Sequence, residues 1–133
     1  MIKGKMLLTR LLLLLILILS GCSKEKPKEG YYQIFLNYET PGLSDDWSSF
    51  TITESTEDYI IINNQYKLEK KGKNISGGLL IGSSSGFIII QGKWSYNLFK
   101  NKYYIKGTFT RDITHINGPQ QFATGTFEMK SLK

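Results

Sequence analysis

The stretch GKWSYNLFKNKYYIKGTF, residues 92–109, reads as two alternating runs joined at Lys100-Asn101. Asn tolerates positive φ, so a two-residue turn there would fold the runs into an antiparallel hairpin. In that register Phe99 faces Lys102, Leu98 faces Tyr103, Tyr96 faces Ile105, Trp94 faces Gly107 and Gly92 faces Phe109. Trp94, Tyr96, Leu98, Tyr103, Ile105 and Phe109 then share one face with the two glycines. Lys93, Ser95, Asn97, Lys102, Tyr104, Lys106 and Thr108 share the other. An apolar face backed by a polar one suits a sheet that covers a core on one side. In the last two pairs a large aromatic meets a glycine, so side chains of unequal size can interlock. A one-residue slip would invert both faces, so the pattern specifies which side is inside.

The reading extends to both sides of this hairpin. Gly-Thr-Phe occurs at 107–109 and again at 125–127. Antiparallel pairing of these runs sets Gly107 opposite Phe127, Phe109 opposite Gly125 and Ile105 opposite Met129. The connecting loop, Asp112 to Gln120, contains Asn117-Gly118-Pro119. In all, strands are expected at 31–38, 47–53, 59–63, 66–70, 75–81, 87–96, 103–111 and 121–130, rich in Tyr, Phe, Ile and Thr. Turns fall at Pro41-Gly42, at Lys71-Gly72-Lys73-Asn74 and at Ser83–Gly86. No sustained helical period follows residue 30. The fold class is therefore all-β: an antiparallel sandwich or small barrel of about eight short strands. The runs at 59–62 and 87–90 are continuously apolar, which suggests strands covered on both faces by a loop or a second layer. A protein or membrane contact is the alternative.

The N-terminal part follows different rules. Residues 1–10 carry Lys3, Lys5 and Arg10 without an acid, and residues 11–19 are nine aliphatic side chains in a row. A basic region and then a short apolar one make a secretory signal, a helix below the ~20 residues needed to span a bilayer. Leu19-Ser20-Gly21-Cys22 follows, an aliphatic residue and two small ones before a cysteine. This resembles the lipobox of bacterial lipoproteins. The resemblance implies a diacylglyceryl thioether on Cys22, cleavage between Gly21 and Cys22, and palmitate-type acyl chains that hold the protein in a membrane. Ser23 after the cysteine, rather than aspartate, resembles an outer-membrane destination where the envelope has two membranes. The single cysteine of the chain is then consumed by lipid. About 100 residues can bury a sufficient core without a disulfide.

Three segments result: 1–21 as signal peptide, 22–29 as lipidated cysteine and polar tether, and 30–133 as one β domain. Eight residue steps from Cys22 to Gly30 reach at most about 28 Å, so the domain stays near the headgroups. Without Lys3, Lys5 and Arg10, 14 basic residues face 11 acids, a net charge of +3. That balance does not point to nucleic acid.

Chemistry-bearing residues are sparse. The one histidine, His115, lies in a loop with no partner fixed by spacing. Acids pair at Asp45-Asp46 and Glu57-Asp58, with Glu54 nearby. Such pairs could serve a hydrolase or hold Ca²⁺, but neighbours in a strand or turn point apart, and solvated loop charges account for them. No cofactor or metal set is expected. Gly92-Lys93-Trp94 resembles the Gly-x-Trp of lipocalins, although that family carries it on the first strand. The expected function is a non-catalytic module at the cell envelope that binds glycan, lipid or a partner protein. The alternative is a small envelope hydrolase that uses a carboxylate pair. The candidate contact surface is Lys93, Lys102, Tyr104 and Lys106, with Phe99 at the hairpin tip. Lysines beside aromatics suit an anionic, amphipathic ligand, whereas a plain solvated face would serve solubility alone.

Overall fold

The computed structural model describes residues 9–12, 26–81, 87–113 and 121–132. Residues 9–12 form a helical turn. Leu19 to Cys22, Ser83 to Gly86, His115 and the Asn117-Gly118-Pro119 turn lie outside the described residues.

Eight strands follow in order: β1 (Gly30–Tyr38), β2 (Asp46–Ser55), β3 (Tyr59–Ile62), β4 (Tyr66–Lys71), β5 (Asn74–Leu79), β6 (Ile88–Asn97), β7 (Lys102–Asp112) and β8 (Phe122–Ser131). Each pairs antiparallel with the next, and β8 returns to β1 from Tyr32–Ser131 to Tyr38–Gly125, so the sheet closes into a barrel. Of sandwich and barrel, the chain forms the barrel. Closure leaves no open sheet edge.

The interior is filled by the alternate side chains of every strand. Tyr32, Ile34, Ile52, Ile60, Ile62, Leu68, Ile75, Leu79, Ile88, Ile90, Ile105 and Met129 are fully buried. Each contributes about 1.5–3 kcal/mol relative to exposure. The core cluster runs from Tyr32 to Met129, so a segment beginning after Cys22 contains all of it. The two apolar runs are not covered on both faces, contrary to the sequence expectation. In the first, Ile60 and Ile62 are buried while Tyr59 and Ile61 are half-buried; in the second, Ile88 and Ile90 are buried while Ile89 points outward. A one-layer barrel has an inside and an outside, and no second layer is needed.

The hairpin of residues 92–109 keeps its expected faces but not its pairs. Trp94 stands opposite Ile105, Gly92 opposite Gly107 and Ile90 opposite Phe109. The pairing is displaced by two residues in total. The loop is Leu98–Asn101, closed by Asn97 opposite Lys102, not the two-residue turn Lys100-Asn101. Asn101 holds φ 51° and accepts a hydrogen bond from the Tyr96 hydroxyl. Lys100 N–H donates to Asn97 Oδ1 at 3.0 Å. These local bonds select a four-residue loop, and Leu98 becomes exposed instead of turning inward. A displacement of two residues preserves the inside–outside pattern, which is why alternation alone does not detect it.

The second register is as expected, with Ile105 opposite Met129, Gly107 opposite Phe127 and Phe109 opposite Gly125. A Cβ on Gly107 would lie 2.0 Å from the Gln91 carbonyl oxygen and 2.5 Å from Gly92 Cα. The backbones of β6 and β7 approach so closely there that only glycine fits. The Phe127 ring fills the inner space left by this glycine pair, since a Cβ on Gly92 would meet its Cζ at 2.9 Å.

Strand order defines two ends. The near end carries residues 26–29, the loops 56–58, 72–73 and 98–101, and Leu132. The far end carries the loops 39–45 and 63–65 and the flanks of the loops after β5 and β7. At the near end, Pro27 is buried, and its carbonyl accepts a hydrogen bond from Ser55 Oγ at 2.5 Å. Glu29 Oε1 accepts from Ser55 N–H, and the Lys28 carbonyl accepts from the Tyr32 hydroxyl. The last three residues of the expected tether are therefore fastened to the barrel.

Candidate functional site

The outward side chains of β6, β7 and β8 form the candidate surface. Lys93 stands directly opposite Lys106, Lys102 opposite Asn97, and Tyr104 between Ser95 and Lys130. The sequence places Lys93, Lys102, Tyr104 and Lys106 on one face, and the barrel brings them together there. Tyr104 differs in one respect. It faces outward yet is only 9% exposed, with Lys106 Nζ 5.1 Å from its ring centroid. The ring supports an ammonium group through cation–π attraction instead of offering its full face to solvent. Phe99 lies in the loop that leads into Lys102. It stands at the near-end rim, 99% exposed.

Four further residues, Tyr96, Lys100, Glu128 and Lys130, complete the surface. Ser95, Tyr96, Asn97, Lys100, Tyr104, Lys106, Glu128 and Lys130 line a polar groove of about 440 Å³. Lys100, Glu128 and Lys130 do not follow from the hairpin pattern by itself. Glu128 and Lys130 do follow from the β7–β8 register, because Ile105 opposite Met129 forces Tyr104 beside Lys130 and Lys106 beside Glu128. Lys106 Nζ lies 3.7 Å from Glu128 Oε2, an exposed ion pair that contributes little to stability.

The outward row continues past the lysines. Lys93, Lys106, Glu128, Phe35 and Trp47 are successive direct partners across β6, β7, β8, β1 and β2. Phe35 is 41% exposed and Trp47 61%. Parallel to this row run Ser95, Tyr104, Lys130, Gln33 and Ser49. The barrel thus wears a belt that changes from lysines to aromatics, with amides and hydroxyls alongside.

The carboxylate pairs are not brought together. Asp45-Asp46 lies at the far end and Glu57-Asp58 at the near end, with the filled core between them. Glu54 Oε1 accepts a hydrogen bond from the Tyr59 hydroxyl at 2.9 Å, which together with the Glu54 charge raises the Tyr59 pKa. Among the described residues no three His, Cys, Asp or Glu side chains gather as a metal-binding set.

No known family model matches this chain, and neither a curated protein nor a solved structure matches it.

Proposed function

We propose that the protein is a lipid-anchored lipoprotein of a bacterial envelope that binds an acidic glycan along the belt, without catalysing a reaction on it. The observation that carries the reading is the outward row Lys93–Lys106–Glu128–Phe35–Trp47, flanked by Tyr104 and Lys130. Ammonium groups pair with carboxylates or phosphates of the polymer. Exposed aromatic faces offer apolar area to the C–H faces of sugar rings. Amides and hydroxyls beside them exchange hydrogen bonds with sugar hydroxyls. The interior is occupied by side chains, so the ligand lies on the outside. The groups that touch it hold and orient it.

The anchor rests on the resemblance of Leu19-Ser20-Gly21-Cys22 to a lipobox. Cys22→Ser should abolish palmitate incorporation and membrane retention in the producing cell. Recovery of native mature protein with an unmodified Cys22 would refute the anchor.

The binding reading is tested with residues 23–133 and two soluble polymers, acidic polygalacturonate and neutral dextran. The acidic polymer should bind, and binding should weaken with salt as the charges are screened. Lys93→Glu, Lys106→Glu and Lys130→Glu together should weaken it by about tenfold or more, if each lysine contributes up to about 1 kcal/mol near an anionic surface. Trp47→Ala should weaken it at all salt concentrations. Failure to bind polygalacturonate, or equal binding of both polymers, would overturn this reading.

A further inference from the structure

The near end differs from the far end in charge and in what emerges from it. Lys28, Lys73 and Lys100 lie in its segments and loops, and Lys71 and Lys102 at its strand ends. Its acids are Glu29, whose carboxylate is bonded to Ser55 N–H, and Glu57 and Asp58 in the β2–β3 loop. Around the rim, the β6–β7 loop, the start of β7, the end of β8 and the start of β1 are neighbours. This arc presents Leu98 at 63% exposure, Phe99 at 99%, Tyr31 at 72% and Leu132 at 40%, with Lys100, Lys102 and Lys28 among them. Leu132 N–H donates to the Tyr31 carbonyl at 3.0 Å, which fixes the two strand ends side by side.

The loop that carries Leu98 and Phe99 is held open by its own asparagines. Lys100 N–H donates to Asn97 Oδ1, and the Tyr96 hydroxyl to Asn101 Oδ1. Its apolar tip therefore projects without support from the core. The described far-end loops carry Glu39 and Asp45 and no lysine; Asp46 opens β2, and Asp112 closes β7 next to the buried Arg111. One end of the barrel is thus suited to an anionic surface and the other is repelled by it.

We infer that the near-end arc of Leu98, Phe99, Tyr31, Leu132, Lys100 and Lys102 docks on an anionic lipid bilayer, with Leu98 and Phe99 among the headgroups. This rests on the anchor reading, which supplies the bilayer. Because Pro27 is fastened to Ser55, only five residue steps separate it from Cys22, a reach of at most about 18 Å. The chain that leads to the lipid enters at this same end, so the arc meets the bilayer without any turn of the barrel. Apolar tips flanked by lysines fit the membrane interface, where the ring enters the headgroup layer and the ammonium groups meet phosphate.

The test uses residues 23–133, which lack the lipid, with vesicles of phosphatidylcholine alone or mixed with phosphatidylglycerol. The segment should bind the mixed vesicles at least about tenfold more tightly at low salt, given up to about a tenfold gain from every one to two lysines near the surface. Leu98→Ser with Phe99→Ser should weaken that binding by about fivefold or more at an unchanged unfolding midpoint, because both side chains are exposed. In Phe99→Trp, emission should shift to the blue on mixed vesicles. In the parent segment it should not, because Trp94 is buried and Trp47 sits at the far-end start of β2. Equal binding to both vesicles, no effect of the double substitution, or a loss caused instead by the Lys93/Lys106/Lys130 variant would overturn the proposal. The anchor is judged separately by Cys22→Ser in cells, so either result can fail while the other stands.

Discussion

The two ends of this barrel expose similar side chains and opposite charge. Apolar groups reach solvent at both: Leu98, Phe99, Tyr31 and Leu132 at the near end, Leu43, Leu80, Phe87 and Phe122 at the far end. A cation is also buried under each rim. Lys70 is 5% exposed at the near end, and its ammonium donates to the Glu57 carbonyl at 3.1 Å. Arg111 is 4% exposed at the far end and donates to the Tyr38 hydroxyl at 2.6 Å. What separates the ends is the ring of loop charges, lysine-rich at one and carboxylate-rich at the other. Apolar exposure therefore does not choose a partner here, whereas charge beside apolar exposure does.

The largest expected effect would break the wall that holds the ends in a fixed relation. Gly107→Val should destabilise the barrel by about 3 kcal/mol or more, because the new Cβ meets backbone that cannot swing aside. Chemical denaturation measures it. A loss below about 1 kcal/mol would mean that the β6–β7 approach is looser than described.

Arg111→Met should cost about 1.5–3 kcal/mol, since a buried charged donor is removed from the hydroxyl of the half-buried Tyr38. Lys70→Met should cost less. Its longer bond to a neutral carbonyl loses less, and a methionine can fill the same space beside Trp94. Equal losses in thermal unfolding would remove this asymmetry between the ends.

Charge reversal sharpens the comparison directly. Lys100→Glu with Lys102→Glu should reduce affinity for phosphatidylglycerol vesicles by about tenfold. Asp45→Lys with Asp46→Lys, at the far end, should change it by less than about twofold at about 0.1 M salt, because the length of β2 exceeds the Debye length of about 10 Å there. A sedimentation assay of both variants side by side decides the point.

The smallest effect concerns pH at the near end. Burial and, next, the neighbouring Tyr103 hold the Tyr32 phenol well above its ordinary range. A raised folded pKa means that the unfolded chain releases the proton first. Stability from Tyr32 is thus fully present below the unfolded pKa of about 10 and falls as pH rises above it. Tyr32→Phe should cost about 1 kcal/mol at pH 7 through the lost hydrogen bond, and the gap should close by about pH 11. Denaturation midpoints at the two pH values measure it, and a gap that stays constant would argue against the shift.

Much of the belt is legible in the amino-acid pattern, because it depends on alternation. Lys93, Lys102, Tyr104 and Lys106 share a face in any antiparallel register that keeps both Trp94 and Ile105 inside. Lys130 and Glu128 require the β7–β8 register, which the two Gly-Thr-Phe runs encode through their glycine–aromatic fit. Phe35 and Trp47 cannot be joined to the belt from sequence. They enter it only because β1 closes on β8, a pairing between strands about ninety residues apart. The exposure of Leu98 is hidden for another reason. Two asparagine side chains fix the loop, and their bonds leave no trace in a hydrophobic pattern.

From the sequence alone come the eight strands, the inward side of those that alternate cleanly, and the resemblance to a lipobox in the residues that precede them. These are local properties. A period of two reports which side chains face the core, and a run of apolar residues ahead of a cysteine is read in the unfolded chain. Barrel closure and the polarity of the two ends were decided by tertiary structure. Closure depends on twist summed over all eight strands and on glycines that let two backbones approach to where a Cβ would not fit. The charge of each end is a sum over loops far apart in sequence. It exists only once the chain has returned on itself and set those loops side by side.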